Sequence, residues 1–352
     1  GSGTGALAVT SSAAGAGNLT IDAASFGGSI DISNVSVSGA VVVSLGSSGD
    51  FSAADVVTIG GAFTLDASNA STGAVTIGSI SAGGNASVIM GAGTGGVAIT
   101  TGGAADFAGT FTLDASRFGG TIDLNSVTGS GAVTVSVGTN GDLSAGSINT
   151  LGGITIDGAA STSGRITLGD MSSDGAMNVV LGTGTGAVAL NTGASTKAVV
   201  VDATTFSGSV DVHDLSASGV TISLGVIGDY SGSSIVSTAA FTMDGTSAQS
   251  GEVTIGHVSA AGALTISMGS GSGDLAVNSS AGSAKTITVD TTNFKGNVDM
   301  SNVSASGAIT VALGESGDFS AGDIISNAGA ISIDATRATT GSITLTNISA
   351  SG

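Results

Sequence analysis

One phrase recurs four times along this chain at intervals of about 90 residues. It reads LTIDAASFGGSIDIS from Leu19, FTLDASRFGGTIDLN from Phe111, VVVDATTFSGSVDVH from Val199 and ITVDTTNFKGNVDMS from Ile287. A repeat at a regular spacing constrains the fold more than any single motif does. Each copy must adopt an equivalent conformation and bury its apolar face against its neighbours.

Shorter periods lie within this phrase. An apolar residue followed by Asp occurs eight times at nearly even spacing, so the unit has about 44 residues and alternates in pairs of about 88. These eight aspartates are Asp22, Asp66, Asp114, Asp157, Asp202, Asp244, Asp290 and Asp334. Each unit divides again, because FTLDASRFGGTIDLNSVTGSGA aligns with the VTVSVGTNGDLSAGSINTLGGI that follows it. That alignment matches Phe111 with Val133, Leu113 with Val135, Ile122 with Leu143, and Val127 with Ile148.

The elementary period is therefore about 22 residues, with about sixteen copies. Within a copy, apolar and polar residues alternate, as around Leu19, Ile21, Ile30 and Ile32, which is the pattern of β-strands. Glycine, Ser and Asn lie between these runs, as turns require. The sequence predicts an all-β fold, a parallel β-solenoid with one coil per copy, and we expect a right-handed coil. The alternative is four tandem β-sandwiches of about 90 residues, a fold that gives no reason for a 22-residue period.

The repeat predicts one continuous array over residues 1–352. Its super-repeats cover approximately 19–110, 111–198, 199–286, and 287–352 together with 1–18. The opening GSGTGAL matches the middle of a unit, and the closing ISASG matches the VSAAG that begins at Val258. We therefore expect the chain to be a segment of a longer protein. The alternative is that its ends stack on neighbouring molecules head to tail and form a fibre.

Composition excludes several classes of protein. The net charge is −19 with only six Lys and Arg, so no basic patch is available to bind nucleic acid phosphates. The 41% hydrophobic content is too high for a disordered tract, and no apolar run approaches the ~18 residues of a membrane span. The absence of cysteine is compatible with an extracellular location.

Three sets of aspartates recur at equivalent positions and are candidate calcium ligands. They are Asp22, Asp31, Asp50, Asp114, Asp123, Asp142, Asp202, Asp211, Asp229, Asp290, Asp299 and Asp318. Calcium binds six to eight oxygen atoms, which clustered carboxylates and carbonyls can supply. The other interpretation is that these side chains accept hydrogen bonds from turn amides. The calcium-binding nonapeptide GGxGxDxUx is absent from the chain, which favours the second interpretation.

No catalytic or cofactor-binding motif accompanies the repeats. His213 lies beside Asp211 and Asp214, and His257 is the only other histidine. We interpret both as turn or surface residues, because HExxH, cysteine-cluster and P-loop patterns are all missing. A β-helix polysaccharide lyase needs basic or aromatic subsites, and this chain has one Tyr and six cations. The sequence predicts that the chain is not an enzyme.

The phrase LTIDAASFGGSIDISNVSVSGA, in its acidic, cysteine-free setting, resembles repeat regions of bacterial secreted surface proteins. These include S-layer proteins and giant adhesins exported by type I secretion. The resemblance implies a location on the bacterial cell surface, self-assembly, and calcium as a bound ion. We therefore expect a structural protein that associates with itself, and with cell-surface polysaccharide, in a filament, sheath or S-layer. The alternative is the stalk of a large adhesin whose binding tip lies outside this segment.

Overall fold

The computed structural model describes residues 2–11, 15, 17–100, 107–195, 197–279, 284–315 and 317–351. These residues contain no helix and form a parallel β-solenoid of about 15 turns, spaced about 22 residues apart. The predicted fold class is confirmed. The chain divides into two compact units, Gly1–Val180 and Leu181–Gly352.

Short strands make up the first unit. Those that begin in it are β1 (Leu7–Thr10), β2 (Leu19–Asp22), β3 (Ile30–Ser33), β4 (Ser36–Val37), β5 (Val41–Ser44), β6 (Phe51–Ala54), β7 (Val56–Thr58), β8 (Phe63–Ala67), β9 (Val75–Ile77), β10 (Ile80–Ala82), β11 (Ala86–Met90), β12 (Gly96–Thr100), β13 (Phe111–Ala115), β14 (Thr121–Gly129), β15 (Val133–Val137), β16 (Asp142–Thr150), β17 (Ile154–Gly158), β18 (Ile166–Ser173) and β19 (Met177–Leu181).

The second unit is built in the same way. Its strands are β20 (Ala187–Ser195), β21 (Ala198–Asp202), β22 (Ser209–His213), β23 (Ser216–Ala217), β24 (Gly219–Ser223), β25 (Tyr230–Ser233), β26 (Ile235–Ser237), β27 (Phe241–Gly245), β28 (Val253–Ile255), β29 (Val258–Ala260), β30 (Ala263–Met268), β31 (Leu275–Asn278), β32 (Thr286–Asp290), β33 (Val298–Ser301), β34 (Val303–Ala305), β35 (Ile309–Ala312), β36 (Phe319–Ser326), β37 (Ile331–Asp334) and β38 (Ile343–Ala350).

Three ladders of stacked parallel strands line each unit. In the first unit, the first ladder contains β2, β5, β8, β11, β13, β15, β17 and β19, and the second contains β1, β3, β6, β9, β12, β14, β16 and β18. The third ladder contains β4, β7 and β10 and continues in the C-terminal parts of β14, β16 and β18.

The second unit repeats this arrangement. Its first ladder contains β21, β24, β27, β30, β32, β35 and β37, and its second contains β20, β22, β25, β28, β31, β33, β36 and β38. Its third ladder contains β23, β26, β29 and β34 with the C-terminal parts of β36 and β38.

Every strand pair among the described residues is parallel, and its partners lie one coil apart. Phe111 pairs with Val133, and Val133 pairs with Ile154. Strands of a β-sandwich pair antiparallel, so the alternative of four tandem sandwiches is wrong. The hand of the coil and the continuity of residues 1–352 as one array stay predictions.

The core follows the alternation in the sequence. In β8, Phe63, Leu65 and Ala67 point inward and are buried, while Thr64 and Asp66 point outward. The same pattern recurs strand after strand, so each coil stacks its Val, Ile, Leu and Phe side chains on those of the next. Each large apolar side chain buried in this way contributes about 1.5–3 kcal/mol to folding.

Short polar residues turn the chain between the second and third ladders. Five non-glycine residues with φ between 50° and 56° lie at this corner: Asn34, Asp55, Asp214, Ser234 and Asn302. Asn and Asp tolerate this left-handed conformation better than other residues with a side chain. In other coils, such as those of β14 and β16, one strand of nine residues spans the same corner.

Candidate functional site

The eight repeated aspartates at the ends of first-ladder strands all make the same local hydrogen bond. In each, Oδ1 accepts from the backbone N–H two residues later, at distances of 2.9 to 3.2 Å. Asp114, for example, accepts from the Ser116 N–H at 3.1 Å and from the Ser116 hydroxyl at 2.7 Å. This is an Asx turn, which starts the bend that follows the strand. Asp22, Asp114, Asp202 and Asp290 therefore have a structural role in the turn.

The aspartates that precede second-ladder strands link one coil to the next. Asp50 accepts from the Ala74 N–H at 2.8 Å, and Asp142 accepts from the Arg165 N–H at 2.7 Å. In the second unit, Asp229 and Asp318 make the equivalent bonds to Glu252 and Ser342, at 2.9 and 2.7 Å. Each of these carboxylates accepts from a backbone N–H of the following coil.

The third set of aspartates lies on the outward side of the second ladder. Asp31 accepts from the hydroxyl of Ser33 at 2.7 Å, and Asp299 accepts from Ser301 and Ser320 at 3.1 and 2.9 Å. Asp123 is exposed, with Ala98 and Ser144 as its register partners in the adjacent coils.

Among the described residues, no group of three or more His, Cys, Asp or Glu is placed to hold a metal ion. The structure thus distributes the twelve calcium candidates along the ladders, with most of them engaged in hydrogen bonds. Calcium binding by these aspartates stays a prediction.

Two aspartates in the second unit have pKa values lowered by their hydrogen bonds. The backbone N–H of Ser342, followed by its hydroxyl, holds the pKa of Asp318 below its ordinary value. The backbone N–H and hydroxyl of Thr336 do the same for the pKa of Asp334. Hydrogen bonds to the ionised carboxylate favour it over the neutral acid.

The remaining member of the third set, Asp211, has a different partner. Its Oδ2 lies 2.8 Å from Nε2 of His213, and Nδ1 of His213 lies 2.7 Å from Oγ of Ser233 in the next coil. The three side chains form a continuous hydrogen-bonded row on the outward face of β22 and β25. His213 and Asp211 are close in the sequence, but the average repeat spacing does not pair them with Ser233.

The position of Ser233 beside His213 cannot be predicted from the average repeat length, because the number of residues per coil varies. In the second ladder, Val210 pairs with Tyr230, whereas Val97 pairs with Ile122, so the coil that follows Val210 is clearly the shorter. A residue one coil away therefore cannot be located from the average period alone. The local sequence GDYSGS, aligned with GDFSAA and GDFSAG, would have supplied the missing register.

Exposed aliphatic side chains mark the third ladder and the turn after it. Ile59 and Leu151 in the first unit are 62% and 64% exposed, and Val57 is also exposed. Val236 and Ile325 hold outward positions in the second unit. Val57 lies in register between the uncharged side chains of β4 and β10. An exposed aliphatic group therefore recurs on a surface rich in serine.

No protein-family model, curated protein or solved structure matches the chain. The part of the chain that the structure describes contains no helix that could cross a bilayer.

Proposed function

We propose that this chain is an extracellular structural protein whose solenoid coils associate with other copies in a bacterial surface filament, sheath or S-layer. One observation supports this role above all: the same polar contacts recur in coil after coil. Eight Asx turns shape the bends that follow first-ladder strands, and four carboxylates link one coil to the next. Such repetition provides length and a regular surface, both of which a scaffold needs.

The third ladder is the surface that suits contact between copies. A chain with a net charge of −19 repels itself, and that repulsion is weakest where the outward side chains are uncharged. In the first unit, Ser36, Val57 and Ser81 form such an outward column, with Ile59 just beyond it. Burying exposed aliphatic groups there would drive association.

A matched pair of isoleucine variants tests this proposal. Ile59 lies beside the third ladder and Ile89 points outward from the first ladder, so Ile59→Ser and Ile89→Ser make the same change on different faces. We expect sedimentation velocity and negative-stain electron microscopy to show assemblies of the unmodified chain. Ile59→Ser should weaken assembly and Ile89→Ser should not. Measurements with and without added Ca²⁺ test calcium as the linking ion.

A chain that stays monomeric at all concentrations, with and without Ca²⁺, would contradict self-assembly. That result would favour the adhesin-stalk alternative, in which the coils serve as a spacer. Immunogold labelling of intact cells would test the surface location, and binding to isolated cell-wall polysaccharide would test that partner.

A further inference from the structure

The row formed by Asp211, His213 and Ser233 has the connectivity of a nucleophile, a base and an orienting carboxylate. Asp211 and His213 are two residues apart on β22, so both point outward. Ser233 ends β25 and is the register partner of His213. The pairing of β22 with β25 therefore places Ser233 next to the His213 ring, and both residues belong to strands.

The hydrogen bonds determine which nitrogen of His213 carries the proton. The carboxylate of Asp211 can only accept, so Nε2 at 2.8 Å donates to it. In the neutral ring, Nδ1 then carries the lone pair, and it faces the Ser233 hydroxyl at 2.7 Å. The connectivity is that of a serine nucleophile, a histidine base and an orienting carboxylate, with the roles of the two ring nitrogens exchanged relative to the serine-protease triad.

A backbone donor follows the serine directly. Ser234 adopts a left-handed conformation with φ of 54°, and its N–H has no backbone acceptor among the described residues. The N–H of the residue after a nucleophile is a common donor to the oxyanion of the tetrahedral intermediate. A groove of about 430 Å³ adjoins the row: Asp211, Ser231 and Glu252 line part of it, whereas His213 and Ser233 lie beside it on the same strands.

We propose that Ser233 is the nucleophile of a hydrolytic site for small uncharged esters. The Ser233 oxygen attacks the ester carbonyl carbon while His213 Nδ1 takes the hydroxyl proton. The carbon–oxygen bond to the alcohol then breaks, and His213 gives that proton to the leaving alcohol. Water, deprotonated in turn by His213, attacks the acyl-serine, and the carboxylic acid leaves as Ser233 regains its proton. No other reactant is needed.

The surroundings define the substrate class. The groove beside the row is open on the outward face, so short acyl groups suit it. Asp211, Asp214, Asp229 and Glu252 lie in or beside the row and the groove. These carboxylates repel an anionic ester, so the substrate is neutral.

Hydrolysis of p-nitrophenyl acetate by the purified chain tests the proposal. Free imidazole also cleaves this ester, so the second histidine supplies the control: His257 is exposed and lies in the next coil. We expect Ser233→Ala and His213→Gln each to lower the rate at least about tenfold, and His257→Gln to leave it unchanged. An unchanged rate in Ser233→Ala, or an equal loss in His257→Gln, overturns the proposal. Circular dichroism checks that each variant keeps its β structure.

A covalent label provides a measurement that needs no variant. Diisopropyl fluorophosphate reacts with activated serine hydroxyls, and peptide mass spectrometry locates the adduct among the many serines of the chain. We expect the adduct on Ser233 and its loss in His213→Gln. Labelling of other serines with Ser233 unmodified would also overturn the proposal.

Discussion

Gly120 lies where two coils of the first unit approach each other closely beside Phe118. A Cβ at this position would overlap the carbonyl oxygen of Gly95 and would lie 2.7 Å from Cζ of Phe118. The same Phe-x-Gly arrangement recurs in all four copies of the repeated phrase, where the glycines are Gly28, Gly120, Gly208 and Gly296. The sequence shows that the copies share this glycine, and the structure gives its steric reason.

We expect Gly120→Ala to destabilise the first unit by about 2–3 kcal/mol, because backbone atoms of the preceding coil cannot move aside cheaply. Gly96→Ala is the control, since the nearest atom to its added Cβ is Thr121 Oγ1 at 3.8 Å. Gly96→Ala should change the free energy of unfolding by no more than about 0.5 kcal/mol. Urea unfolding followed by circular dichroism measures both variants. Equal destabilisation of the two would show that the coil contact at Gly120 is not the cause.

Tyr230 and Gly232 form a compensating pair. The equivalent coils read GDFSAA and GDFSAG, but this one reads GDYSGS. A Cβ on Gly232 would overlap the Tyr230 hydroxyl, so the tyrosine occupies the space of the missing alanine methyl group. The hydroxyl is buried and has no hydrogen-bond partner among the residues that the structure describes. Burial, with a smaller contribution from Asp211, raises the Tyr230 pKa far above its ordinary value.

A double-mutant cycle separates these effects. We expect Tyr230→Phe to stabilise the second unit by about 1 kcal/mol, because it removes an unsatisfied buried hydroxyl. Gly232→Ala alone should destabilise it, and the double variant should recover part of that loss, because the ring carbons Cζ and Cε1 still lie 2.7 and 2.8 Å from the new Cβ. Thermal unfolding of the four proteins gives the coupling energy. Additive effects would mean that the two residues do not share this space.

At the scale of the strand, sequence alignment located the pairing where the coils are regular. The predicted matches of Phe111 with Val133, Leu113 with Val135, Ile122 with Leu143, and Val127 with Ile148 are all confirmed. The alternation of apolar and polar residues determines which side chains point inward, and the repeat determines which residue of the next coil each one pairs with. The row from Asp211 to Ser233 could not be found from the average period, because the coil that joins Val210 to Tyr230 is shorter than that period.

The carboxylates that link adjacent coils are better acceptors when ionised, and Asp318 allows this to be measured. Its pKa is lowered from 3.8, chiefly by the Ser342 N–H. The pKa of Asp318 is lower in the folded than in the unfolded chain. The ionised carboxylate therefore stabilises the folded chain at pH values above its unfolded pKa, and this stabilisation is lost as the pH falls through its folded pKa. We expect an NMR titration of the Asp318 carboxyl to give a pKa below 3.8.

Asparagine is the matched replacement at this turn, because Asn297 holds the same position one coil earlier and accepts from the Asp318 N–H at 3.0 Å. Asp318→Asn keeps an acceptor for Ser342 but cannot titrate, whereas Asp318→Ala removes the acceptor. The Ser342 amide should therefore lose its hydrogen-bonded chemical shift as the pH falls through the lowered pKa of Asp318 in the unmodified chain. It should keep that shift in Asp318→Asn and lack it at every pH in Asp318→Ala. A titrating Ser342 shift in Asp318→Asn would contradict this assignment.

At the scale of the whole molecule, the repeat makes the coil an exchangeable module. In the first unit, β13 pairs with β15 and β15 pairs with β17 in one continuous register. The strands β14, β16 and β18 do the same in the second ladder. Stability in such an array is close to a sum of coil and nearest-neighbour contributions. Removing one whole coil should therefore bring two compatible coils together.

Deletion of Val133–Gly153 removes one such coil, because Ile154 is the register partner of Val133. It should place Phe111 against Ile154 and Ile122 against Ile166, so we expect the shortened chain to fold. Its m-value for urea unfolding should fall by about the contribution of one coil, because one coil less of surface becomes exposed on unfolding. Deletion of Val133–Leu143 removes only the first half of that coil, so that Ser144 and Ala145 follow Ala132 where an apolar strand is needed. That variant should lose cooperative unfolding in the first unit. Circular dichroism and urea titration compare the two, and equal tolerance of both deletions would contradict the modular packing of the coils.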